Sequence, residues 1–185
     1  MFRRERKPDH GNEYATCNDF RQIFTEDMAG LHLLAFLLTG DQDKAEECFV
    51  AGLEDSINGN AVFRQWARSW SKRAIIKRAI RMIAPMPAAP RLGTAISADA
   101  GVSERDALIS SVTALAPLRR FVFVMAVLEG YSATECALLL SCPVKEVAAA
   151  REEALHEVSL RRNAAFIAPN QPITWKEFLP AANVA

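Results

Sequence analysis

Between Arg64 and Arg81 the chain carries seven cations and no carboxylate: Arg64, Arg68, Lys72, Arg73, Lys77, Arg78 and Arg81. Phe63, Trp66 and Trp70 are interleaved with them. At about 100° per residue, Trp66, Trp70, Arg73, Lys77 and Arg81 share roughly a quarter-turn of one helix. Cations beside indole rings suit a phosphate backbone and unstacked bases. Stacking contributes roughly 1–3 kcal/mol per base, and the charges add counterion release. The same spacing also describes an amphipathic helix whose tryptophans belong to the core and whose cations are merely solvated. Pattern alone leaves both readings open.

Two weaker constellations accompany it. Asp41, Asp43, Glu46 and Glu47 precede Val50 at the start of a helix; their spacing is not that of a calcium loop, and the helix dipole accounts for carboxylates there. Further on, Ser132 and Glu135 form an S-x-x-E capping box, Ser141-Cys142-Pro143 turns the chain, and a longer helix follows. This is the form of a helix-turn-helix, whose second helix needs donors at its N-terminal end to read a major groove. Here that end reads V-K-E-V-A-A-A-R-E-E-A, with Lys145 and Arg151 set against Glu146, Glu152, Glu153 and Glu157. DNA readout and simple packing of the last helix on a protein are both open. Cys17, Cys48, Cys136 and Cys142 include no Cys-x-x-Cys pair, and His10, His32 and His156 are scattered, so no metal or cofactor site is read. His32, on an apolar helix, reads as a partly buried structural histidine. No nucleophile–base grouping, phosphate-cradling loop or paired catalytic carboxylates can be assembled, so the expectation is a binding protein, not an enzyme.

The 185 residues suit one large domain or two small ones. Half are hydrophobic, enough for a core, and 24% are charged. Twenty-two basic residues balance twenty-two acidic ones, which excludes adhesion to nucleic acid by global charge but not through a local stripe. The apolar runs Leu31 to Leu38 and Phe121 to Leu128 are too short to span a bilayer. The N-terminus lacks a secretory pattern, so no membrane association and a reduced, cytoplasmic setting are expected. No alternating pattern lasts long enough for a sheet. The fold class is all-α.

One composition break divides the chain. Three prolines within six positions, Pro85, Pro87 and Pro90, forbid a helix. The sequence therefore divides into a flexible basic arm (1–17), a helical domain (18–83), a linker (84–102), a helix-turn-helix domain (103–162) and a tail (163–185). Helices are predicted over Asn18–Phe24, about Met28–Leu38, Gln42–Asp55, Ala61–Ile83, Glu104–Leu115, Leu118–Leu128, Ala133–Leu140 and Val144–Leu160. Gly40 should cap the second and Asp41 should open the third. The tail, with Trp175, Phe178 and Leu179, reads either as a loose end or as a strap packed on one domain.

With these elements in place, the chain resembles a divergent extracytoplasmic-function sigma factor, a small two-domain transcription initiation factor, over about residues 18 to 160. L-T-G-D-Q-D-K-A-E-E-C-F-V-A-G-L (Leu38 to Leu53) is similar to that family's polymerase-clamp helix. The long helix with Phe63, Trp66 and Trp70 falls where the family melts and reads the −10 promoter element. A-L-A-P-L-R-R-F-V-F-V-M-A-V-L-E-G-Y-S-A-T-E-C-A-L-L-L (Ala114 to Leu140) resembles the −35-reading domain. Leu115, Pro117, Arg119, Arg120, Glu129, Gly130, Ser132, Glu135 and Ala137 match its pattern.

The resemblance implies a region-2-like domain followed by a region-4-like domain. Asp41, Asp43, Glu46, Glu47 and Val50 would face core RNA polymerase. Arg64, Trp66, Arg68, Trp70, Lys72, Arg73, Lys77, Arg78 and Arg81 would face promoter DNA. The family commonly has a glutamine and an acidic residue at Val50 and Ala51, and asparagine at Lys77. Its Thr-Val-Lys-Ser-Arg run is replaced by Glu146-Val147-Ala148-Ala149-Ala150, so −35 recognition should be weak or absent. A second reading keeps the family fold but drops promoter recognition: an interaction module that binds an anti-sigma protein or polymerase, dimerises, or occludes its own DNA surface with the tail. A helix-turn-helix repressor is a third. The leading expectation is that the Trp- and Arg-bearing helix presents an open cationic track to separated strands.

Overall fold

The computed structural model describes residues 13–85, 103–164 and 173–179. Among these, the architecture is all-α, with no strand. No helix among the described residues is long and apolar enough to cross a membrane. The predicted arm before residue 13, the linker from 86 to 102, and tail residues 165–172 and 180–185 lie outside the described residues.

Helix α1 (Cys17–Glu26) starts at a reciprocal capping box. Thr16 Oγ1 accepts from the Asp19 N–H, and the Thr16 N–H donates to Asp19 Oδ2 at 2.7 Å. Helix α2 (Met28–Thr39) is apolar almost all round and buries Leu31, Leu34, Leu37 and Leu38 completely, so it is the central helix. It ends at Gly40 with φ 69°, the left-handed cap expected from the sequence. Asp41 then accepts from the Lys44 N–H at 2.9 Å and opens α3 (Gln42–Ile57). At Gly52, α3 approaches α4 so closely that an added Cβ would lie 2.6 Å from Ile75 Cγ1.

Helix α4 (Ala67–Ile83) begins later than the predicted Ala61. The reason is a pairing with residues just before α1. The Ala15 N–H donates to the Val62 carbonyl at 2.7 Å, and the Arg64 N–H to the Glu13 carbonyl at 2.8 Å. Tyr14 and Phe63 form an isolated antiparallel bridge with rings stacked 4.8 Å apart. Residues 61–63 therefore run extended, and a 3-10 turn at Arg64–Trp66 leads into the helix.

Helices α5 (Glu104–Thr113), α6 (Pro117–Val122), α7 (Ala133–Leu140) and α8 (Val144–Ala164) complete the chain. Pro117 occupies the first turn of α6, where its missing N–H costs nothing. The expected continuous helix to Leu128 instead widens into a π-helical stretch over Phe123–Leu128, and the Glu129 N–H reaches back to the Val124 carbonyl at 3.0 Å. Ser132 and Glu135 form the capping box of α7, with the Ser132 N–H 2.9 Å from Glu135 Oε2.

One apolar cluster joins helices from both sides of the linker: Leu34, Leu38 and Ile76 belong to it, as do Val112, Phe121, Val124 and Val158. Helix α2 packs on α3 and α4 and also on α5 and α6. The tail contributes as well. Residues Trp175–Glu177 make a single 3-10 turn, and the Phe178 ring is fully buried in the common cluster.

Candidate nucleic-acid interface

Helix α4 buries Ala67, Ser71, Ala74, Ile75, Ile76 and Ala79 against α1–α3. That spacing turns the remaining residues outward in distinct directions. Trp66, Trp70, Arg73 and Lys77 line one wall of a groove of about 980 Å³, with Trp66 56% exposed and Trp70 half-buried. Arg81 continues the same wall into an adjoining groove of about 510 Å³, which also contains Leu138 and Leu139. The quarter-turn read from the sequence holds on α4 for Trp70, Arg73, Lys77 and Arg81, while Trp66 joins the row from the 3-10 turn that precedes the helix. At its open end the Phe63 ring meets Trp66 edge-on at 5.2 Å.

The facing wall comes from beyond the linker and consists of Glu129, Gly130, Tyr131 and Glu135. Lys72 Nζ lies 3.0 Å from Glu129 Oε1, and the Glu129 side chain is only 7% exposed. Burial holds the Tyr131 hydroxyl above its usual pKa, opposed by the Arg73 guanidinium beside it. Lys77 Nζ stands 5.8 Å from the centroid of the Trp70 ring.

Several cations of the 3-10 turn and α4, Arg81 of the row among them, already have acidic partners. Arg64 pairs with Asp19 at 3.2 Å, and Arg68 with Asp27 at 3.1 Å and Glu26 at 3.5 Å. Arg81 pairs with Asp55. Most of these contacts are well exposed and so worth about 0–1 kcal/mol each, weak enough for a phosphate to displace them. Arg78 points the other way and lines a shallow groove with Asp43, Glu46, Glu47, Val50, Ala51 and Glu54. Its Nε is buried without a hydrogen-bond partner. The track is therefore narrower than the seven-cation count implied, and one side of it is acidic.

On α3, Asp43, Glu46 and Glu47 are exposed beside Val50, itself 54% exposed, while Asp41 is spent on its cap. On the pair α7–α8, read from the sequence as a helix-turn-helix, Lys145 and Arg151 lie exposed on α8. Two of the acidic residues of α8 are consumed internally: Arg119 of α6 pairs with Glu153 at 2.7 Å and with Glu157 at 3.3 Å. His32 packs half-buried beside Phe49 at 6.0 Å. Among the described residues, no three His, Cys, Asp or Glu side chains converge as metal ligands.

Sequence reasoning missed three groups around the groove. Tyr14 extends the exposed ring cluster at the start of α4, and Glu129 and Tyr131 close its far side. The glutamate and tyrosine could not be placed there by spacing, because the contact crosses 57 residues.

No family model matches the chain, and no curated protein matches it. A solved structure, the co-crystal structure of the sigma factor RpoE in complex with the anti-sigma factor NepR from Bartonella quintana, is similar to this chain at 15% identity, with a TM-score of 0.47, covering 79% of this chain and 98% of that one.

Proposed function

We propose that the chain is a sigma-like regulator of transcription initiation. Helix α3 docks on core RNA polymerase through Asp43, Glu46, Glu47 and Val50. Helix α4 touches the melted −10 strand of promoter DNA, and α7–α8 add weak −35 contact through Lys145 and Arg151. The mechanism is binding, with no bond made or broken by the chain itself. The observation that carries this reading is the row Trp66–Trp70–Arg73–Lys77 along one groove wall, with Trp66 more than half exposed. Such a row offers two stacking faces followed by two phosphate donors. Comigration of the purified chain with core polymerase at micromolar concentration tests the reading. Folded protein that separates cleanly from polymerase contradicts it.

A second reading, an interaction module that takes an anti-sigma protein or polymerase without promoter recognition, has one observation in its favour. Glu129 and Glu135 form an acidic wall opposite the cations, and Glu129 neutralises Lys72. A stable protein partner together with no DNA binding at low salt selects it.

A further inference from the structure

Residues 173–179 reach Lys72 on the α4 wall of the groove and are anchored on α5 and in the common core. The Phe178 ring is fully buried in the common core, and its carbonyl accepts a hydrogen bond from Arg105 Nε on α5. Trp175 meets Phe178 edge-on at 5.9 Å. The Trp175 ring also lies 5.9 Å from Lys72 Nζ on α4. Lys72 in turn reaches across the groove to Glu129 at the end of the π-helical stretch. One short segment thus contacts α5 and α4 at once, through a lysine that already bridges the two walls.

We propose that this C-terminal segment is a releasable latch, which holds α4 against the helices that follow the linker and keeps the groove narrow. Its attachment is unequal. Phe178 is an apolar anchor, whereas Trp175 is half-buried, with its Nε1–H enclosed and lacking an acceptor. A buried donor without a partner opposes closure and regains water on release. Opening of the latch frees the Lys72 ammonium for another anion, because its contacts with the Trp175 ring and Glu129 are given up together. The consequence for DNA rests on the function proposed above. A nucleic acid that selects the open groove binds with an affinity reduced by the fraction of molecules that are closed, and loss of the latch removes that reduction.

The test uses the full chain with Phe178→Ala and, separately, Arg105→Ala, which leaves the core ring in place. Small-angle scattering reads the radius of gyration, circular dichroism reads helix content, and a fluorescence titration reads affinity for an oligo-thymidylate. The latch requires a larger radius at unchanged helicity and about tenfold tighter DNA binding. A larger radius with no DNA binding in any variant upholds the latch and removes the nucleic-acid reading. An unchanged radius in both helical variants overturns the latch. If Phe178→Ala loses its helices, Arg105→Ala decides alone on the same readings.

Discussion

The guanidinium of Arg120 closes the end of α2: its Nε donates to the Leu38 carbonyl at 3.1 Å and its Nη2 to the Thr39 carbonyl at 3.0 Å. Its Nη1 donates to the Thr113 carbonyl at 3.0 Å. The side chain is 92% hidden from solvent, and burial lowers its pKa, yet the carbonyl end of α2 supplies the partial negative charge that a buried cation needs. The Arg120 side chain thus ties the helix preceding the acidic α3 to the helix that leads to Glu129. It is therefore part of what sets the two walls of the groove against each other.

Arg120→Met should destabilise the fold by about 3–5 kcal/mol, because three carbonyls lose a charged donor inside the protein. Arg120→Lys should recover less than half of that, since an ammonium cannot address three acceptors in a planar fork. Urea unfolding monitored by circular dichroism measures both.

Gly40→Ala should cost more than a left-handed cap alone. The backbone there has φ 69°, and an added Cβ would stand 2.6 Å from Arg120 Nη1. The strain of the left-handed conformation, about 1 kcal/mol, adds to displacement of the guanidinium. In the Arg120→Met background the second contribution should vanish, which a double-mutant cycle detects.

Thiol chemistry should sort the cysteines by burial. Burial pushes the Cys48 thiol up to about 12 and Cys136 up to about 11. Cys17 is exposed. At pH 8 the native chain should therefore release chromophore quickly from Cys17 when titrated with a disulfide reagent. Cys48 and Cys136 should react only after denaturant is added.

Acid should weaken the chain through its two helix caps. Hydrogen bonds from the Thr16 N–H and hydroxyl hold the Asp19 carboxyl below its ordinary range, and bonds from Ser132 do the same for Glu135. A carboxyl lowered on folding adds stability above its unfolded value and loses it as pH falls through the folded one. The melting temperature should thus be steady near neutrality and decline below about pH 4. Replacing Asp19 and Glu135 with alanine should lower the melting temperature at pH 7 and make the acid decline shallower.

Local signals were legible because their chemistry is local. Gly40, Asp41, Pro117 and the Ser132–Glu135 box each act within a few residues, and each stands where sequence reading placed it. Thr16-x-x-Asp19 is a box of the same kind, shadowed by the polar residues around it. The late start of α4 was not legible, since Tyr14 and Phe63 find each other only across the folded chain. Arg119 and Arg120 are adjacent cations in the sequence; one pairs with α8 and the other enters the core, a difference decided by where the α2 carbonyls end. The part of the row on α4, from Trp70 to Arg81, followed from helix geometry alone, whereas Trp66 stands on the 3-10 turn before it and the acidic wall opposite depended on tertiary packing.

The groove of α4 is expected to take unpaired nucleic acid. A titration of tryptophan fluorescence with single-stranded promoter DNA, at two salt concentrations, addresses this. Quenching that weakens steeply with salt, disappears in Trp70→Ala with Arg73→Ala, and loses about one unit of salt slope in Arg73→Ala alone is the predicted result. Folded protein that gives no quenching at low salt, or that binds equally well without Trp70 and Arg73, contradicts it.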